Sequence, residues 1–218
     1  MDIKIIEMSN YARKDHFNYF KNMSYPYVGV TVNVDITDFL IKIKENKLPF
    51  FLTFLYNVSN AANAIPELRQ RIHTDGIIEY QNCKPSYTVA LEDRTYCYCA
   101  LDCSMPFNSY LPYALQKHEK AKQNPTINDG GDSSLFFVST VPWFSYTALV
   151  QPVPQPADSN PRITWGKFFE QDGRTLIPLS LLCHHALVDG IHIAQFYENL
   201  EKQLRGFIMF ITTAAKAN

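Results

Sequence analysis

The stretch TLIPLSLLCHHALVDGIH, residues 175–192, carries the strongest structural signal in the chain. Its first nine residues are nearly all apolar, which predicts a strand buried on both faces in the middle of a sheet. The residues after it predict a helix with one apolar face, formed by Ile191, Ala194, Phe196, Leu200 and Leu204. Two adjacent histidines and an aspartate therefore stand where a central strand passes into a helix, at the edge of a sheet.

Working outward, strand and helix patterns alternate. Residues 28–36 alternate between apolar and other side chains, which predicts a strand with one buried face. Helices are predicted over 11–23, 39–46, 50–64 and 109–123, and further strands at IIEY, SYTVALE, TYCYCAL, SLFFVSTV and ITWGKFF. The sequence therefore predicts an α/β fold, an α+β sandwich in which a mixed sheet is packed with helices.

Composition limits the partners. The 20 basic and 21 acidic residues give a formal net charge of −1, so no bulk field attracts nucleic acid or anionic lipid. The longest apolar run near the C-terminus, residues 207–211, is far shorter than the roughly 20 residues that span a bilayer.

The N-terminus lacks a signal-peptide pattern, and five cysteines are an odd set that favours reduced thiols. We expect a cytoplasmic protein with a small-molecule partner.

With 218 residues and 46% hydrophobic side chains, the chain can bury one full core. We expect one domain over residues 1–205 and a C-terminal tail over 206–218. The tail carries no recognisable motif, and the sequence leaves open whether it is frayed or covers a neighbouring subunit.

The paired histidines admit several interpretations. An imidazole, with an unperturbed pKa near 6.5, suits removal of a proton from an alcohol. Asp189 equally stands where a helix N-cap would stand, and His184 could be a buried, hydrogen-bonded strand residue. A metal site built from His184, His185, Asp189 and His192 is a further option, although the strand and helix directions argue against all four converging.

Other chemistries find less support. Cys183 precedes the histidines, but neighbours on a strand point to opposite faces and a free cysteine is commonly a small core residue. Cys97 and Cys99 lack the spacing and the fourth ligand of a zinc site. The sequence has neither a Gly-rich phosphate loop nor a G-x-S-x-G elbow. The motifs that would indicate a nucleotide-binding fold or a serine hydrolase are therefore missing.

The segment HHALVDG, residues 184–190, resembles the HHxxxDG signature of chloramphenicol acetyltransferases and, more distantly, of dihydrolipoyl acyltransferase cores. YARKDHFNYF, VDIT, IPELRQRI, PSYTVA, VSTVPWFSYT and ITWGKFF resemble chloramphenicol acetyltransferase segments in the same order, from about residue 11 to 205. The resemblance implies transfer of an acetyl group from acetyl-CoA, as co-substrate, to a hydroxyl of chloramphenicol, with no bound cofactor or metal.

The resemblance also implies individual roles. His185 is the general base, and the acceptor oxygen attacks the thioester directly, without an acyl-enzyme. Ser139 hydrogen-bonds the oxyanion that develops in the transition state. Thr164 holds an ordered water, and Asp189 pairs with Arg13 to order the loop that carries His185.

Family members form homotrimers whose active sites lie between subunits. The resemblance places Tyr19, Phe20 and Val28 at the acceptor pocket, and Lys167 and Phe168 at coenzyme A. Val28 is smaller than the aromatic usual there, and the proline-rich residues 151–161 also depart from the family pattern. Another small alcohol as acceptor, or a noncatalytic trimeric ligand-binding protein, therefore stay as alternatives, while a dihydrolipoyl core ranks lower because lipoyl domains and linkers are missing.

Overall fold

The computed structural model describes residues 3–74, 76–128 and 131–216, with side chains as far as Thr213. The elements are, in chain order, β1 (Ile3–Ile6), α1 (Lys14–Phe20), β2 (Tyr27–Asp35), α2 (Thr37–Glu45), α3 (Phe50–Asn63), α4 (Pro66–Arg69), β3 (Gln70–His73), β4 (Gly76–Tyr80), β5 (Lys84–Ala90), β6 (Tyr96–Ala100), α5 (Phe107–Gln123), β7 (Leu135–Val141), β8 (Arg162–Gly166), β9 (Phe169–Gln171), β10 (Arg174–His184) and α6 (Gly190–Lys216).

The main sheet has seven strands in the order β2-β10-β8-β7-β5-β6, with β9 beside β10. Strand β10 is antiparallel to β2 on one edge and to β8 on the other, whereas β5, β7 and β8 run parallel. A second, antiparallel sheet has the order β1-β4-β3. The prediction of a mixed sheet packed with helices is confirmed, and so is the central place of the apolar strand.

Alternate side chains of β10 separate the two faces of the sheet. Ile177, Leu179, Leu181 and Cys183 are fully buried. Trp165 on β8 pairs in register with Leu179 and packs edge-on against Phe54 of α3, with ring centroids 5.2 Å apart. This face is therefore the one that the helices cover, and burying it removes most of the apolar surface of the central strands from water.

The opposite face carries a row of hydroxyl side chains across four strands. Ser180 on β10 pairs in register with Thr31 on β2 and with Thr164 on β8, and Thr164 pairs with Ser139 on β7. Because residues in register point to the same side, these four side chains lie on one face. We call it the open face, since it is crossed by the irregular chain between β7 and β8 rather than by a helix.

Some details differ from the sequence predictions. Strands β1 and β3 and the single turn α4 were not predicted, because segments of four residues are too short for a periodic pattern. The segment ITWGKFF divides into β8 and β9, since pairing stops at Lys167 and Phe168. The loop predicted after α5 is present, although its residues 129 and 130 lie outside the described ranges.

Helix α6 does not end at Leu204. The apolar spacing continues through Phe207 and Ile211, each 6% exposed, so the helix runs through Gly206 to Lys216. The predicted tail thus begins inside a helix, and its residues 217 and 218 lie outside the described part of the chain. The predicted helical face needs two corrections: Ile191 is 62% exposed and Ala194 is exposed as well, whereas Ile193 lies in the core.

Among the helices of the described ranges, none combines the length and the apolar character needed to cross a bilayer.

The continuation of α6 gives a stability prediction. The Phe207 ring lies 4.7 Å from that of Phe107 and 5.8 Å from that of Phe39, measured between centroids. Phe207→Ala should lower the free energy of unfolding by about 3 kcal/mol, because it leaves a cavity between three elements. Urea denaturation at fixed protein concentration measures this. Met209→Ala, at a position 71% exposed on the same helix, is the matched control, and an equal effect of both variants would contradict the packing described.

Candidate active site

The loop HHALVDG joins the end of β10 to the start of α6. The backbone amides of Leu187 and Val188 both donate to the carbonyl of His184 at 3.0 Å, which folds the loop into a compact turn. The amide of His185 donates to the carbonyl of Pro26 at 2.7 Å. The loop is thereby tied to the start of β2 as well as to its own strand.

The His185 ring is held by one hydrogen bond and one stacking contact. Its Nδ1 lies 2.9 Å from the carbonyl oxygen of Val188, which can only accept, so Nδ1 carries the proton in the neutral ring. The ring stacks on Phe20 with centroids 3.9 Å apart. The lone pair of the neutral ring is then on Nε2, and that atom has no hydrogen-bond partner within the described residues. This is the state required of a general base.

Arg13 and Asp189 meet beside this loop. Arg13 Nη1 lies 3.1 Å from Asp189 Oδ2, and Nη2 donates to the carbonyl of His185 at 3.2 Å. Asp189 Oδ1 accepts from the Gly190 amide at 2.7 Å, which together with the Arg13 guanidinium lowers the pKa of the carboxyl. Asp189 therefore stands directly before α6 and is paired with Arg13, although its side chain is 41% exposed rather than buried.

The other two histidines of this region, His184 and His192, make hydrogen bonds to nearby backbone amides. His184 is 2% exposed, its Nδ1 accepts from the Ala186 amide at 3.3 Å, and burial lowers its pKa to about 4. His192 Nδ1 accepts from the Asp189 amide at 2.9 Å. Within the described ranges no group of three or more His, Cys, Asp or Glu side chains could hold a metal ion. The four-ligand metal site considered from the sequence does not form there.

Ser139 and Thr164 lie together on the open face, at a cavity of about 360 Å³. The Thr164 hydroxyl donates to Gln151 Oε1 at 3.4 Å, and the Tyr146 hydroxyl donates to the Thr164 carbonyl at 2.8 Å. The Ser180 hydroxyl donates to that of Tyr146 at 3.2 Å. Tyr146 and Gln151 were missed in the sequence, because they stand in an irregular segment without periodicity.

Ser139 also borders a second, larger cavity of about 900 Å³. Its other walls include Trp143, which is 76% exposed, and the exposed basic side chains of Arg94 and Lys122. Ser139 and Thr88 therefore line both cavities.

His185 and Ser139 do not meet within one chain. Ser139 stands level with Ser180 and two strands away from it, and His185 lies five residues further along the chain. With about 3.3 Å per residue along a strand and about 4.8 Å between strands, the two residues are roughly 15–20 Å apart. Their side chains cannot make contact over that distance.

The residues predicted to bind the substrates are spread over both faces. Tyr19 is 69% exposed and packs edge-on against Phe20, beside His185. Val28 pairs in register with Cys183, so it points to the helix-covered face. The Lys167 amide donates to the Phe144 carbonyl at 3.0 Å, and the half-exposed ring of Phe168 lies 5.8 Å from that of Phe50. The structure does not place these five residues around a single cavity.

Solved structures share this fold. A chloramphenicol acetyltransferase superimposes with a TM-score of 0.86 at 25% identity, covering 93% of this chain and 100% of that chain. A probable dihydrolipoamide acetyltransferase from Listeria monocytogenes shares the fold with a TM-score of 0.65 at 18% identity, over 92% and 93% of the two chains. Fold and histidine loop together define the class: the protein is an acetyl-CoA-dependent O-acyltransferase.

Sequence comparison identifies the family. A family model described as chloramphenicol acetyltransferase matches residues 1–201. Chloramphenicol acetyltransferases from Klebsiella sp. and Escherichia coli are 30% and 29% identical over 203 and 201 residues, in both cases 90% of this chain and 91% of the relative. The chain belongs to the chloramphenicol acetyltransferase family.

The buried His184 gives a pH prediction. Its folded pKa of about 4 lies below the ordinary value near 6.5, so unfolding takes up a proton between these pH values and stability falls as the pH is lowered. His184→Asn keeps an acceptor for the Ala186 amide but cannot be protonated. The variant should lose about 3 kcal/mol less than the wild type between pH 7.5 and pH 4. Urea denaturation across this range tests it, with the exposed His16→Asn as control, and parallel curves for wild type and His184→Asn would refute it.

Proposed function

We propose that the protein transfers the acetyl group of acetyl-CoA to a hydroxyl of chloramphenicol, with His185 as the general base. The observation that carries the proposal is the His185 ring, whose Nδ1 proton is committed to Val188 and whose Nε2 is left to accept a proton. Nε2 takes the proton of the acceptor hydroxyl while its oxygen attacks the thioester carbonyl. The intermediate collapses as the carbon–sulfur bond breaks, and the coenzyme A thiolate leaves with the proton from the imidazolium.

Ser139 supplies a hydrogen-bond donor to the tetrahedral oxyanion. Its register with Thr164 fixes the serine on a paired strand between the two cavities. A donor held in that way needs little reorganisation when negative charge develops, which favours the transition state over the ground state. Thr164, fixed by Tyr146 and Gln151, has the position to hold a water beside it.

A homotrimer brings the two halves of the site together. Since His185 and Ser139 are separated in one chain, direct attack with both residues requires His185 of one subunit to face the cavities of the next. Membership of the family supports a trimer by resemblance alone. The separation of His185 and Ser139 supports it independently, because that separation is a property of this chain. The open face, with its polar row, is the surface on which a second chain would complete the site.

Acetyl-CoA enters by the larger cavity. Arg94 and Lys122 place positive charge at its wall, which suits the phosphates of coenzyme A, and Trp143 offers an exposed ring to its apolar portions. Phe51 also lines this cavity, whereas Lys167 and Phe168 do not, so their contacts with coenzyme A stay a prediction from the resemblance. The acceptor then occupies the smaller cavity on the open face.

Thiol release from acetyl-CoA, followed with a thiol reagent, tests the activity and the acceptor. The purified protein should release coenzyme A only when chloramphenicol is added. Release with another small alcohol alone would indicate a different acceptor, and binding of chloramphenicol without any release would indicate a ligand-binding protein.

Two substitutions test the roles of the base and the oxyanion donor. His185→Ala should lose nearly all turnover, and Ser139→Ala should lose about 2–4 kcal/mol of transition-state stabilisation, both with normal folding by circular dichroism. The exposed His16→Ala is the matched histidine control. Near-normal turnover by folded His185→Ala would refute the mechanism.

Mixed trimers test the shared site. Chains with His185→Ala and chains with Ser139→Ala, unfolded together in equal amounts and refolded, should regain about a quarter of wild-type activity, because a quarter of random interfaces pair an intact histidine with an intact serine. Each variant refolded alone is the control. Recovery no greater than the sum of the two controls would show that each site is built within one chain.

A further inference from the structure

Arg162 stands at the wall of the smaller cavity. Its side chain is 9% exposed, and it lines the cavity together with Ser139 and Thr164. Arg162 precedes Thr164 by two residues on β8, so both point to the open face with α-carbons about 7 Å apart. A charged side chain is therefore buried within reach of any acceptor that presents its hydroxyl to Ser139.

One edge of the Arg162 guanidinium is occupied by protein groups. Nη1 donates to Asp158 Oδ1 at 2.8 Å and to the carbonyl of Asn160 at 3.2 Å. Nη2 donates to Asp158 Oδ2 at 2.9 Å. A guanidinium has five N–H donors, so the Nε proton and the second Nη2 proton are left without an acceptor in the described part of the chain. These two donors lie on one edge and point in nearly the same direction.

The guanidinium is held firmly in this orientation. Asp158, which accepts hydrogen bonds from Nη1 and Nη2 of Arg162, also accepts one from the Tyr27 hydroxyl at 3.0 Å. The rings of Tyr27 and Phe137 lie 5.6 and 5.4 Å from the guanidinium carbon. Nε is not sealed from solvent, so the free edge is accessible at the cavity that Arg162 lines, and the ion pair and the two rings hold the guanidinium in that orientation.

We propose that the free edge of Arg162 determines acceptor specificity by binding a neutral oxygen-bearing group of the acceptor. Asp158 already balances the charge of Arg162, so a nitro or carbonyl oxygen fits better than a carboxylate. This proposal rests on the proposed function, and it adds the kind of substituent that the acceptor must carry. Chloramphenicol has both a nitro group and an amide carbonyl.

The informative variant is Arg162→Lys, which keeps a cation for Asp158 but lacks the second donor edge. It should raise the KM and the dissociation constant for chloramphenicol about 10- to 100-fold and leave the KM for acetyl-CoA unchanged. Arg205→Lys, at an exposed residue paired with Glu201, is the matched control. Binding is measured by calorimetry and turnover by thiol release, with circular dichroism as the check of folding.

Analogues identify the group that is bound. Removal of the nitro group from chloramphenicol, or replacement of its amide carbonyl, should weaken binding to the wild type but not further weaken binding to Arg162→Lys, for whichever group contacts the edge. Unchanged binding of chloramphenicol to folded Arg162→Lys, or equal losses in both proteins for both analogues, would overturn the inference. Chloramphenicol that binds with this dependence on Arg162 but is not acetylated would refute the proposed function alone, and a wild type that does not bind it would refute both.

Discussion

Pairing of β10 along both of its edges is the constraint on which the site depends. Because the strand is hydrogen-bonded to β2 and to β8, its register cannot slip without exchanging the buried and open faces. The same register fixes the hydroxyl row across the sheet and delivers His184 and His185 at the end of the strand. The carbonyl of Pro26, at the start of β2, then anchors the amide of His185. The position of His185 therefore follows from backbone pairing as much as from its own side-chain contacts.

The chain separates the groups that the proposed mechanism combines. The loop at the end of β10 carries His185, the proposed base, whose tautomer is fixed by Val188, while the middle of β7 and β8 carries the hydroxyls of Ser139 and Thr164. Between them lies the pair of Arg162 and Asp158, with Tyr27 in contact with both. Each part is rigid within its own strand or turn, so a site assembled from two chains would need little rearrangement of either.

The sequence predicted the parts of the molecule that carry a repeating pattern or a recognisable motif. The central strand, the helices longer than about two turns and the histidine loop belong to this group, and resemblance added Arg13 beside Asp189. Short elements such as β1 and α4 offer too few residues for periodicity. Tyr146 and Gln151 stand in irregular chain, and the proposed role of Arg162 rests on the unused edge of its guanidinium; only coordinates reveal these features. The register of Val28 with Cys183 turns its side chain toward the helices, which the sequence did not predict, and its acceptor contact stays a prediction.

The burial of the five cysteines limits their reactions with the thiol that the enzyme produces. All are free and buried, and burial raises the pKa of Cys83, Cys103 and Cys183, which keeps these thiols protonated and unreactive. An acetyltransferase of this class liberates the coenzyme A thiol with every turnover. Where an oxidant converts that thiol to a disulfide, buried and protonated protein thiols resist thiol–disulfide exchange with it, so the protein escapes covalent modification by the oxidised product.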